Sequence, residues 1–426
     1  MMSICIILLL CLVSLTASAV GWADGDTRDL IVDNRVHTVT VAPPDDPYFP
    51  PVMVLDSDQR LEVKFDVLDY DVEYLRYSVY HCDALWRPTA TLVESEWVDG
   101  FNYGDIDEWE QNEATFTSFY TYRFMLPNDD FKITRSGNYV VVVYEQDDPG
   151  HVLLQRRFSV CENIVNVVCE VTTSTDVDYN DEHQQLSYDI TYRPGVVSDA
   201  YNDLTSVITQ NNRDASAVVV KSPTMVAPGK VTYEHRSELI FSATNEYRRF
   251  EIVNSHGMNM GVERWQYFEP FYHVTLNRDE PRRYTQYLYD KTQMGHFTIR
   301  NAEYSWDEAD CASDYVWTHF TLDTGGPVTG GNVILDGELT RGLPASSRVM
   351  HYDASTGCYE VQLLLKQGAY NYQYAFVPDG TTVPRYDLID GNKYQTTNEY
   401  LVKVYYRPSG ERYDRFVGFG IIHSGI

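Results

Sequence analysis

The sequence predicts an all-β protein of tandem immunoglobulin-like β-sandwich domains, and three observations carry that prediction. Apolar and polar residues alternate with period two along much of the chain. Turn dipeptides punctuate those runs. The composition is rich in tyrosine, with 34 Tyr, 17 Phe and 7 Trp in 426 residues. Tyrosine suits half-buried strands, because its ring packs while its hydroxyl stays wet.

The alternation is regular enough to place strands. Leu61, Val63, Phe65 and Val67 alternate with Glu62, Lys64 and Asp66. Leu186, Tyr188, Ile190 and Tyr192 alternate with Ser187, Asp189, Thr191 and Arg193. Tyr370, Tyr372, Tyr374 and Phe376 alternate with Asn371, Gln373 and Ala375. Each string buries one face of a strand and wets the other. Val140 to Tyr144 is continuously apolar, as a central strand of a sandwich requires. Asp99-Gly100, Ser136-Gly137, Asp336-Gly337, Asp379-Gly380 and Asp390-Gly391 are the turn signals between strands. No long amphipathic helix is legible.

At roughly 100–150 residues per domain the chain holds several domains. The pattern divides into an N-terminal block over 28–162, a second over 163–303 and a third over 304–426. Residues 1–19 read as a signal peptide: Ile4 to Val13 is its apolar stretch, and Ala17-Ser18-Ala19 is a small-residue cleavage site. Cleavage there makes the mature chain start near Val20 and be exported. No other segment is long and apolar enough to span a membrane.

Hydrophobic residues make up 43 % and charged residues 22 %, a globular balance. The formal charge of −29 repels nucleic acid and anionic lipid headgroups, so neither is an expected partner. Cys5 and Cys11 fall in the leader, leaving Cys82, Cys161, Cys169, Cys311 and Cys358. Five is odd, so at least one lacks a partner within the chain. Cys311 and Cys358 share a block and are the candidate disulfide.

The motifs of catalysis are missing. There is no Gly-x-Ser-x-Gly, no His-Glu-x-x-His, no phosphate-binding loop and no Cys-x-x-Cys. Asp176, Asp178, Asn180, Asp181 and Glu182 resemble the start of a calcium loop. Its sixth and twelfth places hold Asp181 and Ser187 instead of Gly and Glu, so a solvated acidic turn is the expectation. His81 and Cys82 are adjacent on a predicted strand and point to opposite faces, which keeps them from acting as a base–nucleophile pair. No enzyme activity, cofactor or metal site is expected.

Several short motifs recur in a recognisable order. They are His81-Cys82-Asp83 followed by Trp86, then Gly100-Phe101, then Tyr120 to Arg123 leading into Pro127-Asn128, then Gly137-Asn138-Tyr139. Late in the chain Leu363 to Gly368 precedes Tyr370, Tyr372 and Tyr374. Tyr405-Tyr406-Arg407-Pro408, Tyr413-Asp414-Arg415 and Val417-Gly418 close the series. Together, from about residue 28 to the end, these resemble the plug proteins of the type IX secretion system of Bacteroidota. The resemblance implies a periplasmic protein that closes the periplasmic mouth of a large outer-membrane β-barrel translocon and has no catalytic residues. The motif residues themselves read as structural, with Trp86 and Phe101 as core anchors. Cys161, Cys169, Cys311 and Cys358 are outside the pattern.

The C-terminal block also resembles an early-set, glycogen-binding-module-like immunoglobulin domain, on Asn332 to Gly337, Met350 to Asp353, Gly357 to Glu360 and Leu363 to Gly380. That resemblance implies an alternative, an envelope carbohydrate-binding protein. Such modules stack an aromatic on the sugar near the first turn, and Leu339 to Leu343 supplies none.

Overall fold

The computed structural model describes residues 25–255, 257–306 and 308–425. The expected leader, with its cleavage site, Cys5 and Cys11, lies outside them. Strands hold 47 % of the chain and helices 5 %. Sheets are mostly antiparallel and stack in pairs as tandem β-sandwiches, as the alternation requires. No helix among the described residues is long and apolar enough to cross a membrane.

The first sandwich pairs two sheets. One orders Leu30–Ile31, Asp148–Cys161, Gly137–Glu145, Leu75–Cys82 and Tyr103–Ile106. The other orders Val36–Ala42, Leu61–Val67, Tyr120–Leu126 and Glu108–Gln111. Phe65, Tyr77, Tyr122, Tyr139 and Phe158 fill the space between them. Gly137–Glu145 is central, which explains its unbroken apolar run. Tyr139, Val141 and Val143 face the main core, while Val140 and Val142 form a second cluster with Cys82 and Val152 on the opposite face.

The second sandwich faces Asn166–Thr172, His183–Thr191, Lys230–Tyr233 and Met225–Ala227 against Val218–Val220, Leu204–Gln210, Glu399–Tyr406 and Arg415–His423. The third faces Arg248–Glu251, Gly368–Pro378, Phe297–Ile299 and Gly331–Asp336 against Val262–Phe268, Phe271–Leu276, Tyr315–Leu322, Cys358–Lys366 and His351–Asp353. Tyr370, Tyr372, Tyr374 and Phe376 enter its core together, as their period-two spacing predicts.

Core membership does not follow chain order. Phe250, Ile252, Val274 and Leu276 belong to the third core, so the expected boundary at 303/304 falls inside that sandwich. Tyr400, Val402, Val404 and Val417 belong to the second core. The third sandwich is thus inserted between two parts of the second. The expected disulfide is corrected too, since Cys311 and Cys358 are both free thiols. Cys311 precedes Tyr315, which pairs with Lys366, whereas Cys358 begins that partner strand at its far end. The ladder between them separates the sulfurs by ~20 Å, far beyond bonding distance.

Candidate functional site

The N-terminal and C-terminal motifs, some three hundred residues apart in sequence, meet in space. The meeting is built from the turn after Leu75–Cys82 upward. Asp83 Oδ1 accepts hydrogen bonds from the backbone N–H groups of Leu85 and Arg87, both at 2.9 Å, and Oδ2 accepts from Arg87 Nε at 2.7 Å. One carboxylate therefore closes the turn, in which Trp86 takes a left-handed φ of 64°. The Trp86 ring lies under the Arg157 guanidinium at 4.4 Å and near the Lys403 ammonium at 5.3 Å. Cation–π attraction to both groups holds it.

Asn138 ties this turn to the C-terminal hairpin. Its Nδ2 donates to the Asp83 carbonyl at 2.9 Å, and its Oδ1 accepts from Ser159 Oγ at 2.8 Å and Tyr405 OH at 2.7 Å. Asp414 Oδ2 accepts from the Ala84 N–H at 3.0 Å. Arg415 pairs with Glu162, and Ser136 Oγ donates to the same carboxylate at 2.6 Å while accepting from the Phe416 N–H. Val52, Ala84, Cys161, Val207, Tyr405 and Phe416 form an apolar cluster there. Lys403 donates to Ser159 Oγ at 3.0 Å, and burial pulls its ammonium down to about 8.

The other motif residues are turn and packing devices. His81 is buried against Tyr139 and Tyr413, with Nδ1 on Thr89 Oγ1 at 2.8 Å and Nε2 on the Ser136 carbonyl at 3.1 Å. Burial holds its imidazole at about 4 and pushes the Cys82 thiol up to about 12. The two side chains occupy opposite faces of the strand, so the pair has neither the geometry nor the basicity of a base and nucleophile. Gly137 has φ 143°, and a Cβ there would lie 2.5 Å from His81 Nε2. Gly100 has φ 107°, and a Cβ would meet the Asp130 carbonyl. Asn128, after Pro127, caps its turn by accepting from the Asp130 and Phe131 N–H groups while donating to Tyr77 OH at 2.6 Å. Gly368 lets the Thr298 carbonyl approach closely. Phe101 departs from expectation: it is 64 % exposed and lies tilted against Tyr103 at the surface, with ring centroids 5.6 Å apart, instead of anchoring the core.

Sequence reasoning missed a second junction, between the first and third sandwiches. Lys366 and Asp66 form an ion pair at 2.5 Å with side chains only 1 % and 2 % exposed. Asp66 also accepts from Tyr315 OH at 2.6 Å and Thr121 Oγ1 at 2.7 Å, and Lys366 sits over the Phe119 ring at 4.3 Å. A mainly apolar cavity of about 390 Å³ lies beside it, lined by Val36, His37, Trp317, Leu363 and Tyr370. Of its cationic lining groups, Lys366 pairs with Asp66 and Arg341 with Asp29 and Glu338, while Arg156 donates to the Gln155 and Arg341 carbonyls. Burial lowers His37 to about 4. The cavity thus offers space without a poised acid or base. In the acidic turn, Asp176 accepts from Gln185 and His235, and Asp178 accepts from Thr175 and His183.

A family model described as type 9 secretion system plug protein, first domain, matches residues 36–162. The chain belongs to the type IX secretion system plug family. That makes it a component of a protein-secretion system. The matched span contains the Asp83 turn, Trp86 and Asn138, the N-terminal half of the junction above. A crystal structure of a hypothetical protein from Parabacteroides merdae matches 94 % of this chain and all of its own, at 36 % identity and a TM-score of 0.91. The two chains therefore share one architecture through all three sandwiches. A DNA-bound alkylpurine DNA glycosylase from Pseudomonas fluorescens, at 12 % identity and a TM-score of 0.16 over 30 % of each chain, has no bearing on the fold. No curated protein matches.

Proposed function

We propose that this plug-family protein is a non-enzymatic stopper, exported to the periplasm, that closes the periplasmic mouth of the outer-membrane translocon barrel of type IX secretion. The supporting observation is family membership joined to construction: three sandwiches fastened to one another by the Asn138 and Lys366 junctions. A pore wide enough for folded cargo cannot discriminate by itself, because only narrow constrictions do so. A closing body must hold its shape against the pore rim, and side-chain networks buried between domains supply that rigidity. Release on demand calls for a moderate, partly polar contact with the barrel, and the charge of −29 makes that contact salt-sensitive.

The carbohydrate-binding alternative loses ground at one place. The segment from Leu339 to Leu343, where a glycogen module presents its stacking aromatic, is covered by the first sandwich. Gly342 accepts from the Ile31 N–H at 2.7 Å, Arg341 pairs with Asp29, and Leu343 packs on the first core.

The test compares a strain lacking this protein with one lacking both it and the barrel. Raised uptake of vancomycin in the first and its return to the wild-type level in the second are expected. Wild-type uptake in both strains would end the stopper reading.

A further inference from the structure

The five-stranded sheet of the third sandwich ends in Val262–Phe268, a strand paired on one side only, with Phe271–Leu276. Proteins guard such edges with lysine, proline or bulges. Here the single register shift lies between Val262 and Arg264, and the stretch from Arg264 to Phe268 runs regularly with no Lys or Pro. Its flanks are apolar on both faces. On the core-side face Tyr267, 48 % exposed, joins Tyr272 at 5.0 Å and Phe116 of the first sandwich at 5.6 Å. On the outer face Phe268, 56 % exposed, pairs across the hairpin with Phe271, whose ring meets Trp317 at 6.4 Å. A strongly acidic protein thus keeps an open strand edge between two aromatic patches.

We infer that this edge is where the plug engages the secretion machinery, by accepting an extended segment of the translocon's periplasmic side as an added strand. Strand addition satisfies the outward backbone groups of the edge. An added strand also sends alternate side chains to both faces, which matches the two patches. The charge identifies the occupant's chemistry. Glu263 on the strand and Glu269 just after it are exposed, Arg264 is the one cation on the strand, and the whole chain is strongly negative. The segment that fits is apolar in alternation and net basic. Another acidic copy of this chain fits poorly. The exposed edge Met225–Ala227 of the second sandwich has only three residues and is too short to hold a strand.

The inference rests on the stopper reading, and the experiment separates the two. Affinity-tagged full-length protein replaces the native copy in cells, as wild type and as a Tyr267→Lys/Phe268→Lys double variant. Both positions are about half exposed, so the fold should be retained, and circular dichroism of the purified variant checks it. The added lysines guard the edge and repel a basic strand. The expected result is barrel co-purifying with wild type and at least tenfold less with the variant, with raised vancomycin sensitivity. A Met225→Lys/Val226→Lys variant at the short edge should recover barrel as wild type does. Equal recovery with the Tyr267/Phe268 variant would overturn the edge assignment and leave the stopper reading standing. No recovery even with wild type would overturn both. A purified wild-type dimer that the same two lysines dissociate would assign the edge to self-association and overturn the inference.

Discussion

Replacing Lys366 with Met tests a charge that is almost fully buried. Its partner Asp66 is 2 % exposed and would keep only the hydroxyls of Tyr315 and Thr121 as donors. Removing one member of a buried pair leaves an uncompensated charge, at a cost of about 3–5 kcal/mol. The two hydroxyl donors soften this, so Lys366→Met should fall near the lower end. Asp66→Ala should cost more, because it orphans the ammonium and the Thr121 hydroxyl, each worth about 1–3 kcal/mol, while Tyr315 OH keeps Thr38 Oγ1 as a partner. The double variant Asp66→Asn/Lys366→Met carries no charge and keeps an acceptor for the hydroxyls. It should therefore be more stable than Lys366→Met alone. Urea denaturation followed by fluorescence, with separate fits for separate transitions, measures the series, since a three-sandwich chain need not unfold in one step. Because Asp66 is on the first sandwich and Lys366 on the third, limited proteolysis should also cut more readily between them. A cost below ~1 kcal/mol for Lys366→Met, or a double variant weaker than both singles, would refute the account of a dry, mutually dependent pair.

His81 is held neutral by burial, with its folded value of about 4 below the unfolded ~6.5. Its contribution is therefore complete above pH ~6.5 and is lost as pH falls towards 4. A His81→Gln variant should lose less stability than wild type between those pH values in denaturation curves, with a difference of about 3 kcal/mol at most. Gly137→Ala should destabilise by about 2 kcal/mol or more, because φ 143° and the His81 ring both oppose a Cβ; a melting temperature within a degree of wild type would contradict this. Alkylation of the unfolded chain without reductant should label Cys82, Cys161, Cys169, Cys311 and Cys358 alike. In the folded chain, Cys82 should react slowly, its thiol being buried and pushed up to about 12.

What the sequence displayed was whatever repeats within a few residues. The strings at Leu61, Leu186 and Tyr370 became strands whose apolar faces enter the cores, and Val140 to Tyr144 became the centre of its sheet; the face expected to be wet is instead covered at Asp66 and along Asn371, Gln373 and Ala375, where other parts of the molecule pack on it. What it concealed was set by partners distant in the chain. Lys366 ends an apolar run and looks solvated, yet its counter-charge is Asp66, 300 positions away. Phe101 follows a turn glycine and looks like an anchor, yet the turn points it outward. Cys311 and Cys358 share a block, but a strand ladder holds them apart. The motif residues near His81 and near Tyr405 were each visible, but their hydrogen-bonded union through Asn138 was not, because no local pattern records which strand returns to which sheet.

The insertion of the third sandwich within the second dictates an order of assembly. The central core lacks Tyr400, Val402, Val404 and Val417 until residues 243–398 have passed. A chain that emerges from its N-terminus can finish the first sandwich early, but its middle must wait, half-walled and with apolar strands uncovered. Folding the inserted sandwich first shortens the effective tether between the two halves and lowers the entropic cost of joining them. Trimming the final hairpin would thus unravel the middle of the molecule and spare its first sandwich. The residues that close the middle core also carry Tyr405 and Asp414, so the last strands to arrive are the ones that latch the whole body together.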